Sequence, residues 1–244
     1  MKSKSGYGMI MGGFMLQSRF LMVRRREGYY GHGFVKVILP PDAIEKGWSG
    51  LQTIPRSIWL SKNEDQLVQW PVKELEKLRT RKVHFKNRRL KGRSMIEISG
   101  ITASQADVEI TFRVSNLKHA EVLSAEVVDP QILCTQKNAT TDGKFGPIGL
   151  LVLASKDLTE HTAVFFRVFI IANSFRVLMC ADPSRFYHSI VESFGGEGLA
   201  CITSRVYPVL AVGEQAHLYA FNNGTQSLSI SSLSAWSMKK AQIV

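Results

Sequence analysis

The chain has 244 residues, of which 45% are hydrophobic and 21% are charged, and its formal net charge is +11. This composition is typical of a globular protein and excludes a disordered one. No apolar run approaches the roughly 18 residues of a transmembrane helix, so a membrane partner is not expected. The positive charge lies in two short runs, at 1–36 and 73–93. It therefore does not by itself imply a basic domain face, and no nucleic-acid partner is expected.

The first segment follows no helix or strand pattern. Residues 14–28 have the sequence FMLQSRFLMVRRREG, with four basic residues beside an apolar stretch. The short apolar patch from Met9 to Leu16 contains two glycines, and no small-residue cleavage site follows it. A convincing signal peptide is therefore not expected in this segment.

Regular patterns begin at Arg56. The apolar-rich runs RSIWLS (56–61) and QLVQW (66–70) are separated by polar residues, which predicts a β-hairpin. Pro71 and the apolar spacing after it predict a short helix over 71–79. The basic run RTRKVHFKNRRLKGR follows, which we interpret as a solvated linker or an edge strand, with a polyanion site as the alternative.

After Gly92 the pattern is typical of β-strands. In ADVEITFRV (106–114) apolar and polar residues alternate strictly, which predicts a strand with one buried face. Many short strand candidates follow, separated by turn sequences, and predict an all-β protein with a β-sandwich. The later candidates are PQILCTQ, IGLLVLAS, TAVFFRVFII, FRVLMC, HSIVESF, ACITSRVYPVL, AHLYAF and LSISSLSAWSM.

The residue pattern shows no site for chemistry. There is no G-x-S-x-G elbow, no H-E-x-x-H helix, no phosphate-binding P-loop and no dinucleotide-binding glycine pattern. The three cysteines, Cys134, Cys180 and Cys201, lie outside any CxxC or Cys/His cluster. Neither a metal site nor a cofactor is therefore expected.

Several longer stretches can be compared with known families as continuous sequence. The first two are KGWSGLQTIPRSIWL (46–60) and QLVQWPVKELEKLR (66–79). The others are LVLASKDLTEHTAVFFRVF (151–169), HSIVESFGGEG (188–198), RVYPVLAVGEQAHLYAFNNGTQS (205–227) and AWSMKKAQI (235–243). These stretches resemble plant β-fructofuranosidases of glycoside hydrolase family 32, the acid invertases (cell-wall type among them) and fructan exohydrolases. The resemblance implies that the intact enzyme hydrolyses terminal non-reducing β-D-fructofuranosides in sucrose or fructans. It also implies an extracellular (apoplast or cell-wall) or vacuolar location.

The family fold is a five-bladed β-propeller, joined by a short helical linker to a C-terminal β-sandwich. The resemblance therefore implies a remnant of the last blade at 42–70, a linker helix and basic linker at 71–92, and the sandwich at 93–244. After MCADPSR the family has further strands that this sequence lacks, which implies an internal deletion near 185–188.

The resemblance also bears on individual residues. The family's N-D-P-N-G, E-C and R-D-P motifs, which hold its catalytic carboxylates, are absent from these 244 residues. No catalytic residue is therefore assigned, and the chain by itself is expected to be inactive. Lys46 is the one substrate-binding residue implied. The position three residues before it is Ala43, where sucrose-binding members have Asp, which favours fructan over sucrose.

Two covalent features follow from the same resemblance. The family pairs two sandwich cysteines, and the matching residues here are Cys134 and Cys180, so a disulfide between them is expected in an oxidising compartment. The sequons at Asn138 and Asn223 are then expected glycosylation sites.

The resemblance suggests an origin for the first segment. With suitable codons for Met11 to Arg26, the same bases, started one nucleotide earlier, encode a sequence close to the family's last blade. The hypothesis is that residues from about 11 to 40 are an out-of-frame translation, with the frame restored near Pro41. Residues 1–41 are accordingly expected to be out of frame or unstructured.

Two other functions stay open from the sequence. A non-catalytic β-sandwich module could bind carbohydrate or an intact family member. A polyanion-binding protein would use the basic run at 73–93.

Overall fold

The computed structural model describes residues 14–23, 53–63, 65–115, 117–124, 129–172, 174–183, 189–206 and 208–239. Within these ranges strands dominate, so the expected all-β class is confirmed. The strands form two larger sheets and one separate hairpin.

The first sheet contains the strands at both ends of the described chain. They are β1 (Phe14–Val23), β4 (Arg79–Leu90), β6 (Ala106–Val114), β11 (Ser189–Gly195), β12 (Ala200–Val206) and β14 (Leu228–Met238). Their order across the sheet is β12-β11-β1-β6-β14-β4, and neighbouring strands are antiparallel.

The second sheet packs face to face on the first. Its strands are β5 (Ser94–Glu97), β7 (Glu121–Val122), β8 (Ile148–Ala154), β9 (Thr162–Ile171), β10 (Ser174–Pro183) and β13 (His217–Asn222). The order is β10-β9-β8-β13-β5, with β7 parallel to β9.

The remaining elements are short. The hairpin consists of β2 (Arg56–Leu60) and β3 (Leu67–Pro71). One α-helix, α1 (Pro130–Gln136), lies in the described chain. The 3-10 helices are Lys73–Leu78, Leu117–His119, Gly196–Gly198 and Gly213–Gln215.

The alternation of β6 places one face in the core between the sheets, as predicted. Val108, Ile110, Phe112 and Val114 are each at most 1% exposed. Burial of one such side chain contributes roughly 1.5–3 kcal/mol. The core continues across β14 and onto β8, β9 and β13 of the facing sheet. This packing of two apolar faces makes the domain the expected β-sandwich.

The second sheet is also covered on its outer face. Phe165, Tyr219 and Phe221 form a second buried cluster there, with Cys134 of α1 packed against it. β8 and β9 are therefore buried on both sides and are apolar almost throughout.

The prediction of a strand at PQILCTQ (130–136) is wrong, because these residues form α1. The Asp129 side chain accepts hydrogen bonds from the backbone N–H groups of Gln131 and Ile132, and Pro130 occupies the first turn. An N-terminal cap and an early proline are helix-start features, and they outweigh the β-propensity of the apolar residues.

The segment expected as a linker, 71–92, belongs to the sandwich. A 3-10 helix replaces the expected linker helix, and the basic run forms β4 at the free edge of the first sheet. The edge-strand alternative is therefore the correct one. Lys and Arg side chains at an edge discourage pairing with other chains, which fits this position.

Part of the segment expected to be unstructured forms a strand. Residues 14–23 are β1, which pairs with both β6 and β11 inside the first sheet. The remainder of 1–41 lies outside the described residues. The expected deletion point, 185–188, and the part of the expected blade remnant at 42–52 also lie outside them.

Candidate functional site

The hairpin is joined to the sandwich through one buried carboxylate. Glu192 of β11, 2% exposed, accepts a hydrogen bond of 2.9 Å from Arg56 Nη2 and one of 3.0 Å from the backbone N–H of Ile54. The Arg56 guanidinium also donates to Gln69 Oε1 at 2.9 Å and to Thr203 Oγ1 at 2.7 Å. Charge-assisted hydrogen bonds of this kind are short and directional. We call this set of contacts the hairpin junction.

Close packing completes the hairpin junction. The ring of Trp70 meets that of Phe194 edge-on, with centroids 5.9 Å apart, and the Arg56 guanidinium lies 5.0 Å above the Phe194 ring. Gly198 has φ +95°, and a Cβ there would lie 2.2 Å from the Gln69 carbonyl oxygen. The close approach of the two backbones therefore requires glycine at this position.

The thiol of Cys201 is part of the same junction. Its Sγ lies 3.6 Å from the Gln69 carbonyl oxygen, to which it can donate. Burial raises the pKa of Cys201, Arg56 opposes that effect and Glu192 adds to it. At neutral pH the group is therefore a thiol and not a thiolate.

The hairpin exposes a strip of apolar side chains to solvent. Its members, which we call the apolar strip, are Ile58 (61% exposed), Trp59 (45%), Leu60 (56%) and Leu67 (61%). Ile58, Leu60 and Leu67 share one face of the hairpin, because Ile58 and Leu60 are two residues apart and Leu60 pairs with Leu67, while Trp59 lies on the other face. Exposed apolar surface of this kind marks an interaction site or an aggregation liability.

A charged network lies at the other end of the first sheet. Asp107, fully buried, accepts hydrogen bonds from Arg19 Nε at 3.0 Å and Nη2 at 2.7 Å, and from Arg79 Nε at 2.7 Å. Arg79 also pairs with Glu109, and its guanidinium lies 3.8 Å from the ring centroid of Trp236. Burial lowers the pKa of Arg79, but the two carboxylates outweigh this effect and raise it above its ordinary value.

A second buried arginine holds the loop after α1. Arg167, 1% exposed, donates to the backbone carbonyls of Lys137 and Asn138 at 2.8 Å each, and to that of Thr141. Burial lowers the pKa of Arg167. Arg167 therefore holds the backbone of this loop through three of its carbonyl groups.

The structure brings the expected covalent features together. Cys134 of α1 and Cys180 of β10 form a disulfide, with Cα atoms 5.7 Å apart. Asn138 Oδ1 accepts hydrogen bonds from Thr140, within its sequon, and from the next residue. Asn223 Nδ2 donates to the Ala139 carbonyl at 3.1 Å, so the two sequons lie side by side.

Lys46 lies outside the described residues. In the part of the chain that the structure describes, no group of three or more His, Cys, Asp or Glu side chains could hold a metal ion. Nor does that part contain a helix long and apolar enough to cross a membrane.

The roles of the arginines and the glutamate described above were not predicted from the sequence. Two of them carry a signal in retrospect: Arg167 interrupts the apolar run TAVFFRVFII, and Glu192 interrupts HSIVESF. A lone charge inside a buried strand needs a partner, and each has one.

The fold agrees with the comparisons to known proteins. The sequence profile described as "Glycosyl hydrolases family 32 C terminal" matches residues 74–180 and 188–237. The chain belongs to glycosyl hydrolase family 32. The family 32 match begins in the 3-10 helix before β4 and ends one residue before the end of β14, and it does not include β1.

Individual relatives are identical to this chain at close to half of the aligned positions. The chain is 47% identical over 235 residues to an insoluble isoenzyme of β-fructofuranosidase from Arabidopsis thaliana. It is 48% identical over 232 residues to a fructan 6-exohydrolase from Beta vulgaris. Each match covers 83% of this chain, and 40% and 38% of the respective relatives, so the chain spans about two fifths of their length.

A solved structure of a relative superposes on this chain over the same share of its residues. The crystal structure of fructan 1-exohydrolase IIa from Cichorium intybus superposes with a TM-score of 0.78 at 47% identity, covering 83% of this chain and 44% of that one. A variant of the same enzyme was solved in complex with 1-kestose, and it matches with a TM-score of 0.77.

Proposed function

We propose that this chain supplies the C-terminal sandwich of a β-fructofuranosidase of family 32, and that residues 42–70 are a remnant of its last propeller blade. The observation that carries the proposal is the hairpin: the hairpin junction fixes it to the sandwich, while the apolar strip stays exposed. A neighbouring blade would cover such a strip and bury its apolar surface.

The reaction of the intact enzyme would be hydrolysis of terminal non-reducing β-D-fructofuranosides in sucrose or fructans. A retaining glycosidase needs two carboxyl groups about 5–5.5 Å apart across the glycosidic bond. These 244 residues carry none of the motifs that supply them in the family. The chain by itself therefore would not turn over fructosides, and Lys46 would contribute only substrate contact.

The same proposal places the protein outside the cytosol, in the apoplast or the vacuole. A disulfide joins Cys134 and Cys180, and such bonds persist in oxidising compartments. The relative from Arabidopsis thaliana is an insoluble isoenzyme. Asn138 and Asn223 would then be available to glycosylation during secretion.

The apolar strip also favours a second role, in which the chain binds an intact family member without catalysing anything. This role needs the same surface and the same exposed side chains. The two roles differ in one respect: the second requires association with a complete enzyme, the first only with a propeller.

The test separates turnover from association. The secreted chain is assayed for release of fructose from sucrose, 1-kestose and inulin, and we expect none above background. It is then mixed with the propeller half of a family member, and with the intact enzyme, and complexes are detected by gel filtration. Enzyme-like turnover by the chain alone would refute the inactive role, and association with neither protein would refute both roles for the apolar strip.

A matched pair of variants identifies the surface. Leu60→Ser with Leu67→Ser removes half of the apolar strip and should abolish association. Val209→Ser with Leu210→Ser removes two side chains of similar exposure from the loop between β12 and β13 and should leave it unchanged. Equal loss in both variants would contradict docking through the strip.

The frame-slip hypothesis for residues 11–40 is tested at the level of the nucleotide sequence. We propose that the transcript carries a one-base slip near Pro41 and lacks coding sequence near codon 185. An uninterrupted frame across both points would overturn this proposal. The pairing of β1 in the first sheet does not test the frame-slip hypothesis. A strand pairs according to its residues, whatever the origin of the codons that encode them.

A further inference from the structure

The outer face of the first sheet contains a groove lined by cationic and hydroxyl side chains. It has a volume of about 360 Å³ and lies where β4, β6 and β14 meet. We call it the arginine groove, and its polar lining residues are Asn87, Arg89, Arg113, Ser115, Ser227 and Ser229.

The strand register makes the two arginines converge. Ser229 of β14 is the pairing partner of both Arg89 of β4 and Arg113 of β6. The three residues therefore form a row across the sheet on one face, with Ser229 in the middle. Neighbouring strands lie about 4.8 Å apart, which puts the two arginine Cα atoms about 10 Å apart. Two guanidinium groups at this separation can bind one anion between them, with the serine hydroxyl below it.

The positive charges of Arg89 and Arg113 are available to bind an anion. They are exposed, and among the described residues neither has a carboxylate partner. At the other end of the same sheet the opposite holds, because Asp107 and Glu109 neutralise Arg79. The groove therefore carries two positive charges that no described carboxylate neutralises.

A row of basic side chains extends the groove along the edge strand. Lys82 lies 5.2 Å from the ring centroid of Trp236, and His84 Nδ1 lies 2.9 Å from Ser234 Oγ, which places both on the face of Arg89. Lys86 follows at the next position on that face. From Lys82 to Arg89 the row is about 24 Å long at about 3.4 Å per residue. A linear polymer with regularly spaced negative charges fits a row of this kind.

We propose that the arginine groove and the basic row of β4 bind an acidic polysaccharide, with one uronate carboxylate held between Arg89 and Arg113. The amide of Asn87 and the serine hydroxyls suit the hydroxyl groups of a sugar ring. The residues that line the groove include no aromatic ring on which a nucleic-acid base could stack. The choice of a polysaccharide also rests on the proposed extracellular or vacuolar location, and the Cys134–Cys180 disulfide supports an oxidising compartment of that kind.

This binding is independent of fructoside hydrolysis, so it is tested with the full chain and no enzyme assay. The probe is a fluorescently labelled galacturonate oligosaccharide long enough to span the row, titrated by anisotropy at several salt concentrations. Arg89→Ser with Arg113→Ser should weaken binding about tenfold or more and should flatten the dependence on salt. The matched control is Lys62→Ser with Lys156→Ser, which removes the same charge from two exposed positions off this face and should leave the affinity nearly unchanged.

Each outcome decides the proposal. Selective loss in the arginine variant, with an unchanged midpoint of urea unfolding, supports the groove. Equal loss in both variants would show a general charge effect and overturn the site, and so would absence of binding by the wild-type chain. A DNA duplex of equal charge that binds as tightly, and that also loses affinity in the arginine variant, would overturn the choice of polysaccharide.

Discussion

Arg56 and Glu192 are separated by 136 residues of sequence, yet the guanidinium of the first donates to the carboxylate of the second over 2.9 Å. Both side chains are mostly withdrawn from solvent, at 13% and 2% exposure. A buried pair of this kind tolerates little change of geometry, since each charge depends on the other. This pair therefore helps to set the orientation of the hairpin on the sandwich. It also affects the orientation of any partner that packs on the apolar strip.

We predict that Arg56→Met lowers the free energy of unfolding by about 3 kcal/mol, because Glu192 would keep, among the described residues, only the Ile54 N–H as a donor in a buried site. The measurement is urea denaturation of the wild type and the variant. Arg93→Met is the control, since its partner Asp142 and Arg93 itself are both more than 60% exposed. It should cost less than about 1 kcal/mol. Equal losses in the two variants would show that the junction does not hold the hairpin.

Cys201 gives a chemical readout of the same junction. The raised pKa of its thiol means that alkylation by iodoacetamide should be slow at pH 8, and the rate should still be rising where an ordinary thiol has reached its plateau. Arg56→Met should accelerate the reaction, because release of the hairpin would expose the Sγ atom that lies against Gln69. A rate at pH 8 equal to that of a free cysteine peptide, in the wild type, would contradict the packed junction.

The disulfide should contribute strongly to stability. Its cysteines are 46 residues apart in sequence, and the loop-closure relation gives about 4 kcal/mol for a loop of that length. Cys134→Ser with Cys180→Ser should therefore lower the midpoint of thermal unfolding markedly, while Cys201→Ser should have a small effect. If dithiothreitol lowered the midpoint of the Cys134/Cys180 double variant as much as that of the wild type, the stabilisation would have another source.

The sequence correctly predicted those elements whose residue pattern has one local physical cause. The alternation in 106–114 follows from one buried face, and the hairpin follows from two apolar runs around a polar turn, so both were correct. PQILCTQ was misassigned because Asp129 and Pro130, just before the apolar residues, decide its conformation. Patterns of hydrophobicity carry no information about such a cap.

The candidate site was less predictable, for a physical reason. Arg56 and Glu192 lie in ordinary strand sequences, and only the fold brings them together. The arginine groove likewise depends on register, since Arg89 and Arg113 become neighbours only through Ser229 of a third strand. Residue 19 could not be placed at all, because an arginine among apolar residues is a common surface pattern as well as a buried one.

The two sequons should differ in occupancy. Asn223 Nδ2 donates to the Ala139 carbonyl, so a glycan there would have to displace the loop that Arg167 holds. We therefore expect Asn138 to be the more fully glycosylated of the two in secreted, folded protein. Mass spectrometry of peptides after enzymatic deglycosylation measures both occupancies, with Asn138→Gln and Asn223→Gln as controls. Full occupancy of Asn223 alone would contradict the geometry of this loop.

The placement of β1 makes the sharpest prediction for the N-terminal segment. Arg19 is 1% exposed, and its guanidinium makes two hydrogen bonds to Asp107, which keeps Arg79 as a second partner. Arg19→Met should therefore cost about 2 kcal/mol, less than the loss of a sole partner would. Arg81→Met, on the exposed edge strand, is the control and should change stability little.

Hydrogen exchange tests the same strand without a mutation. Backbone amides of residues 14–23 that pair with β6 and β11 should exchange as slowly as those of β6 itself, because an interior strand opens only with its sheet. Rapid exchange over 14–23, together with unchanged stability of Arg19→Met, would remove β1 from the sheet. The edges of β6 and β11 would then be unpaired, and the chain should self-associate through them, which sedimentation at increasing concentration would show.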